Sequence, residues 1–226
     1  MTRATNARIA GVTLLVYIAA TMTSVVLFSR AIAGEGVAAQ LAGIGRHAMD
    51  VRLTILAGLL GNLCALVLGV TLYSITRGQD QDLAMLAMIC RVAEGVAGID
   101  VSRTLGLLWL TTATDAAALD RGAATALGAY FLKMETSFTA SGAFFALGSA
   151  VFSWLLLRGR MIPAPLAWLG VLGSIFPAVF FPLQLAGLVS GSVTRVMWYP
   201  VLLFEVVLAF WFLIKGVAAP APDEGR

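Results

Sequence analysis

Hydrophobic residues occupy six long stretches of this chain, roughly 9–28, 53–75, 83–110, 137–157, 163–189 and 199–217, with most polar positions gathered between them. Each stretch is close to or above the roughly 20 apolar residues an α-helix needs to cross the hydrocarbon core of a bilayer. The pattern predicts an all-α fold: a polytopic membrane helical bundle of six transmembrane helices. Residues 1–217 form a single integral membrane domain, and the tail "AAPAPDEGR" (218–226) reads as a disordered end. The first stretch follows Arg3 and Arg8 and ends near "AIAGEG", which has the small residues of a cleavage site. Its apolar core is longer than the 7–15 residues typical of a signal peptide, so a retained helix is expected, with a signal peptide as the alternative.

The polar intervals are unequal. "RGRMIPAP" (158–165) is a tight hairpin whose prolines suit the start of the fifth helix, because a first-turn proline loses no helical hydrogen bond. Residues 29–52 and 111–136 are long enough to form short surface helices over the opposite end of the bundle. Arg3, Arg8, Arg77, Arg158, Arg160, Lys215 and Arg226 fall on one side, against Arg30, Arg46, Arg52, Arg121 and Arg195 on the other. This excess predicts that both termini are cytoplasmic and that the protein is a multi-pass protein of the cell inner (plasma) membrane.

Composition sharpens the class. The chain is 60% hydrophobic and 12% charged, where globular domains carry about 25% charge, and its mean hydropathy is +0.92. The 15 Lys and Arg are scattered, which argues against a nucleic-acid surface. Cys64 and Cys90 fall within apolar stretches, where a free cysteine packs as a small hydrophobe. The sole histidine, His47, cannot make a multi-histidine haem or zinc site. No metal and no cofactor are expected.

Charge inside the apolar stretches is the exception that needs a reason. In "ICRVAEGVAGID" (Ile89–Asp100), Glu94 is eleven residues on from Leu83, about 16 Å along a helix and near the bilayer midplane. Arg91 lies one turn nearer the cytoplasm, and Asp100 and Arg103 lie further up what reads as the same helix. Such charges cost at least about 2.5–3.5 kcal/mol at mid-membrane and so face the bundle interior with partners. At spacing i and i+3, Arg91 and Glu94 share a helix face and can pair, a purely structural explanation. The functional explanation is that polar residues from Glu94 through Glu205 and Asp100 to Asp50, His47, Lys133 and Glu135 line one externally open cavity. Asn62 is near mid-depth in the second helix. Pro177 and Pro182 should kink the fifth helix and free carbonyls that Gln184 could satisfy. Ala93, Ala97 and Gly98 suit close helix packing. Trp109, Trp198 and Tyr199 suit an aromatic belt.

Five segments, "ARIAGVTLLVY" (7–17), "LYSITR" (72–77), "RVAEG" (91–95), "WLLLRGRMIPAPLAWLGVL" (154–172) and "FEVVLAFWFLIKGV" (204–217), occur in this order along nearly the whole chain. Together they resemble a bacterial family of multi-span membrane proteins of unknown function. The resemblance implies a six- or seven-helix bundle and marks Arg8, Tyr17, Tyr73, Arg91, Glu94, Glu205 and Lys215 as matching family positions. It implies no activity. In the fourth helix, where the family often has a His or Cys after the Phe, "AFFALGSA" has neither.

A carboxylate in an apolar pocket holds its proton to higher pH and can act as a general acid. The expected function is therefore a cofactor-independent intramembrane acid–base enzyme of cyclase or isomerase type, acting on a lipophilic isoprenoid or polyene. Glu94 and Glu205 would be the acid–base pair, and Arg91 would set the charge state of Glu94. Asp50, Asn62, Asp100, Glu135, Phe144 and Trp211 would meet the substrate, with Phe145 and Trp198 offering further aromatic faces for a developing cation. Expected partners are membrane lipids and a lipophilic small molecule. The alternatives are a transporter or permease, although no inverted repeat is evident, and a non-catalytic membrane scaffold.

Overall fold

A computed structural model describes residues 2–98, 101–112, 120–133, 136–190, 192 and 196–218. The described residues are helical throughout, with no strand: α1 (Arg3–Ala31), α2 (Val37–Arg46), α3 (Ala48–Thr76), α4 (Gln81–Ala97), α5 (Val101–Thr112), α6 (Arg121–Lys133), α7 (Thr136–Arg158), α8 (Ala164–Leu185) and α9 (Trp198–Ile214). Four of them, α1, α3, α7 and α8, are long and apolar enough to cross a membrane, while the apolar α9 is shorter at 17 residues. The protein is a helical membrane protein.

Local chemistry sets the ends of these helices. Thr2 caps α1 by accepting from the Thr5 amide at 3.2 Å, and Asp80 caps α4 by accepting from the Leu83 amide at 3.0 Å. Each satisfies an amide that the first helical turn leaves without a partner. Pro163 precedes α8 and Pro165 lies in its first turn, as the hairpin reading expects. Pro177 and Pro182 are accommodated inside α8, which runs on to Leu185. In α3, Thr71 and Thr76 return their hydroxyls to the carbonyls of Val67 and Leu72, both at 2.8 Å, which makes them compatible with apolar surroundings.

The third apolar stretch is not one helix. It breaks after Ala97, where the Gly98 amide closes the last turn on the Glu94 carbonyl at 2.8 Å, and α5 starts afresh at Val101. At the break a side chain would not fit: a Cβ on Gly98 would lie 2.7 Å from Asn62 Oδ1 and 3.1 Å from Ser141 Oγ. Glu94 is therefore in the final turn of α4 rather than in the middle of a long span.

Two of the packed regions of the molecule lie on either side of the break. The larger core joins α1 (Ala7, Ala10, Leu14), α3 (Leu68, Leu72, Ile75), α7 (Phe152, Leu156) and α9 (Phe204, Leu208, Phe212). The smaller one gathers Ala31, Ile44, Val51, Leu107 and Leu108, with Phe28 and Phe131 packed against them, so α2 and α5 cover the far ends of α1 and α3. These short helices α2 and α6 fall in the two long polar intervals that were expected to form surface helices. At the opposite end, Arg158 on α7 approaches Asp80 at 3.6 Å and the Ala218 amide bonds the Met161 carbonyl at 3.1 Å. The start of α1, the α3–α4 and α7–α8 turns and the end of α9 therefore lie together.

Candidate functional site: one arginine between two carboxylates

Arg91 is the largest side chain buried in the protein, at 2% exposure, and its carboxylate partners Glu94 and Glu205 are 3% and 5% exposed. The first partner follows from helix geometry: one turn along α4, Arg91 Nη1 donates to Glu94 Oε2 at 2.7 Å. The second comes from α9, where Glu205 Oε1 accepts from Arg91 Nη2 at 3.3 Å. Tyr17, from α1, donates its hydroxyl to Glu94 Oε1 at 2.9 Å. Above the guanidinium lies Phe145 of α7, its ring centre 4.7 Å from Arg91 Cζ, with Tyr17 at 5.9 Å. These two rings are nearly parallel, at 8°. Four helices thus converge on one cation.

Small residues make room for it. A Cβ at Gly69 on α3 would lie 3.1 Å from Arg91 Cβ, and one at Gly148 on α7 would lie 3.7 Å from its Cγ. Beside the network, Arg91, Glu205, Ser149, Ser153 and apolar neighbours including Leu14 and Phe204 line a small cavity of about 10 Å³, which is room for about one water molecule. Arg91 Nε has no hydrogen-bond partner among the described residues. A guanidinium is a five-donor group, and a buried donor without an acceptor is costly, so a water in this cavity would complete its set.

Residues 9–216 match the model of a protein family described as "Domain of unknown function (DUF4386)". The chain belongs to this family. No curated protein and no solved structure matches it. The DUF4386 span takes in Tyr17, Arg91, Glu94, Phe145 and Glu205, so the whole network lies within the family region.

The other residues singled out in the sequence of this DUF4386 protein are dispersed. Asp50 Oδ2 accepts from His47 Nδ1 at 3.2 Å, one turn apart. That pair stands at the start of α3, 19 residues before Gly69, or about 28 Å along the helix from the level of Arg91. Lys133 is exposed at the end of α6. His47 and Asp50 therefore stand at the opposite end of α3 from the level of the buried carboxylates. Asp100 and Glu135 lie outside the described residues. Asn62 is half-buried against the end of α4 rather than at the carboxylates. Phe144 is 42% exposed on the outer face of α7, and its neighbour Phe145 is the ring that meets Arg91. Trp211 packs against the larger core. Trp198 faces Phe145 and Phe181, with ring centres 5.5 and 5.3 Å away, whereas Tyr199 is exposed.

Two members were legible only indirectly. Tyr17 interrupts an apolar helix far from either end, an unusual place for a hydroxyl that membrane proteins otherwise keep at the interface. Phe145 carries no signal of its own, because alternate aromatic residues in a spanning helix look alike until its rotation is known.

Proposed function

We propose that the Tyr17–Glu94–Arg91–Glu205 network is the functional centre, and that it acts as a proton-operated switch within a membrane-embedded helical bundle. The observation that carries this reading is the charge count: one guanidinium is shared by two buried carboxylates on different helices. With both carboxylates ionised, the cluster holds an excess negative charge in surroundings of low dielectric, where uncompensated charge is costly. One proton balances it. The contact of Arg91 with Glu205, at 3.3 Å against 2.7 Å for Glu94, is the one a proton would weaken most readily, and it ties α9 to α4. Protonation then releases α9, and deprotonation draws it back, which gives the two discrete arrangements that a coupling element needs. Such an element fits a transporter-like or sensing role. With both termini on the cytoplasmic side of the inner membrane, the linked turns at 77–80 and 158–163 would face the cytoplasm.

Acid–base cyclase or isomerase chemistry on an isoprenoid or polyene is the second reading. It is favoured by the two carboxylates and the facing Tyr17 and Phe145 rings, which suit a cationic intermediate. It requires a substrate-sized chamber, and the space beside Glu205 accommodates a single water.

One experiment separates the readings. Spin labels on the outer faces of α4 and α9 in the protein reconstituted in lipid nanodiscs should move apart as pH falls and return as it rises. Glu205→Gln should hold them at the separated distance at every pH. A distance that stays constant across the pH range for the wild-type protein removes the switch reading. Accumulation of a lipophilic product that disappears in Glu94→Gln with folding intact would favour the enzyme.

A further inference from the structure

A second cavity lies away from the network, at the end of the bundle where the chain begins. It occupies about 730 Å³ between α1 and α3, and its lining includes Arg3 and Asn6 from the first turn of α1, and Val67, Val70, Ser74 and Arg77 from α3. That volume is within the range of small-ligand sites. Its two walls are helix stripes. On α1, Arg3, Asn6 and Ile9 recur every third residue, and on α3 the lining residues recur at three- and four-residue steps, so each set lies along one helix face.

The two ends of the groove differ in chemistry. At the terminal end, the Arg3 guanidinium lies over Gly78, where a Cβ would come within 2.7 Å of Nη2, and Arg77 is the adjoining residue. Neither arginine forms an ion pair among the described residues, while the nearby Asp80 is engaged with Arg158. No carboxylate lines the groove. The amide ends of the first turn of α1 add positive potential at the same place. Deeper in, Val67 and Val70 are 43% and 56% exposed on a helix long and apolar enough to span a membrane. From Val67 to Arg77 is ten residues, about 15 Å of helix, so an apolar strip runs from two cations into the bilayer interior.

We infer that this groove binds an anionic phospholipid, its headgroup phosphate held between Arg3 and Arg77 and an acyl chain laid along Val67 and Val70. A zwitterionic lipid shares the phosphate but brings its own cation to the two arginines, which disfavours it. Free phosphate lacks the chain that the apolar strip would cover. The occupant is therefore a lipid of the bilayer itself. The site is independent of the proton switch, and Arg3 and Asn6 precede the span that matches the family.

The test is native mass spectrometry of the delipidated full-length protein titrated with dioleoyl phosphatidylglycerol, dioleoyl phosphatidylcholine or inorganic phosphate. One phosphatidylglycerol should be retained about tenfold to thirtyfold more tightly than phosphatidylcholine, the gain expected of two cations near an anionic headgroup. Arg3→Gln with Arg77→Gln should erase that preference, whereas Arg8→Gln, outside the groove, should keep it. Val70→Trp, which narrows the apolar strip and leaves both charges in place, should also weaken phosphatidylglycerol retention, so the inference remains testable if the double variant does not fold. Equal retention of the two lipids overturns it. So does an unchanged preference in the folded double variant, or binding of inorganic phosphate as tight as that of the lipid.

Discussion

Arg91 and Arg103 sit on consecutive helices, α4 and α5, and both bring a guanidinium into partly apolar surroundings with an aromatic ring beneath it. Their partners differ. Arg91, in the larger core, is held by two carboxylates. Arg103, in the smaller region, is half-buried and donates Nε to the Phe131 carbonyl at 2.8 Å and Nη2 to the Leu132 carbonyl at 3.5 Å, with Phe28 5.1 Å from its Cζ. Those carbonyls belong to the last turn of α6, where backbone acceptors lack helical partners and the helix dipole is negative. Carbonyls at a helix end contribute to holding a cation that still reaches the surface. At the meeting of four helices, the fully buried Arg91 stands between two formal negative charges.

The contrast breaks most visibly on removal of each cation. Arg91→Met should destabilise the protein by about 3–5 kcal/mol, because two buried carboxylates lose their counter-charge. Arg91→Met combined with Glu94→Leu and Glu205→Leu should recover most of that loss in an unfolding titration. If the triple variant is no better than the single one, the network is not held together by mutual charge compensation. Arg103→Met should cost about 2 kcal/mol or more, since the two charge-assisted bonds to the α6 carbonyls alone are worth about that much. Its amide hydrogen exchange should quicken in α6 and stay unchanged in α4. An equal penalty at the two arginines would remove the distinction between the regions.

Smaller changes sharpen it. Tyr17→Phe deletes one donor to Glu94 and should cost about 1–1.5 kcal/mol by the same unfolding measurement, and it should leave the α4–α9 tie in place. His47→Ala, in the exposed pair with Asp50, should lie within about 0.5 kcal/mol of wild type. A large effect at His47 would mean that the far end of α3 communicates with the network after all.

The sequence carried the helical membrane class and the Arg91–Glu94 pair, because both rest on spacing within one segment. It misplaced the boundary in the third apolar stretch for the same reason. Residues 83–110 are apolar enough to read as one span, and nothing in that pattern marks Gly98 as the end of a helix or shows that Asn62 and Ser141 stand against it. Asp50 and His47 were placed at their height by depth counting, which fixes position along a helix and says nothing about which cavity a residue faces. Phe144 was chosen over its neighbour, and a rotation of 100° per residue decides that choice.

What the sequence determined by itself is that helices form, that they are apolar, and that one of them carries an arginine with a glutamate a turn away. Hydrophobic length and i, i+3 geometry are properties of a single segment, so no other part of the chain is needed to state them. Only the tertiary structure decided that Glu205, 114 residues away, closes on the same arginine, that Tyr17 bonds Glu94, and that the space beside the cluster is about 10 Å³. Those outcomes depend on how four helices rotate and approach one another, and that is set by small residues such as Gly69 and Gly148 yielding volume to a side chain on a different helix.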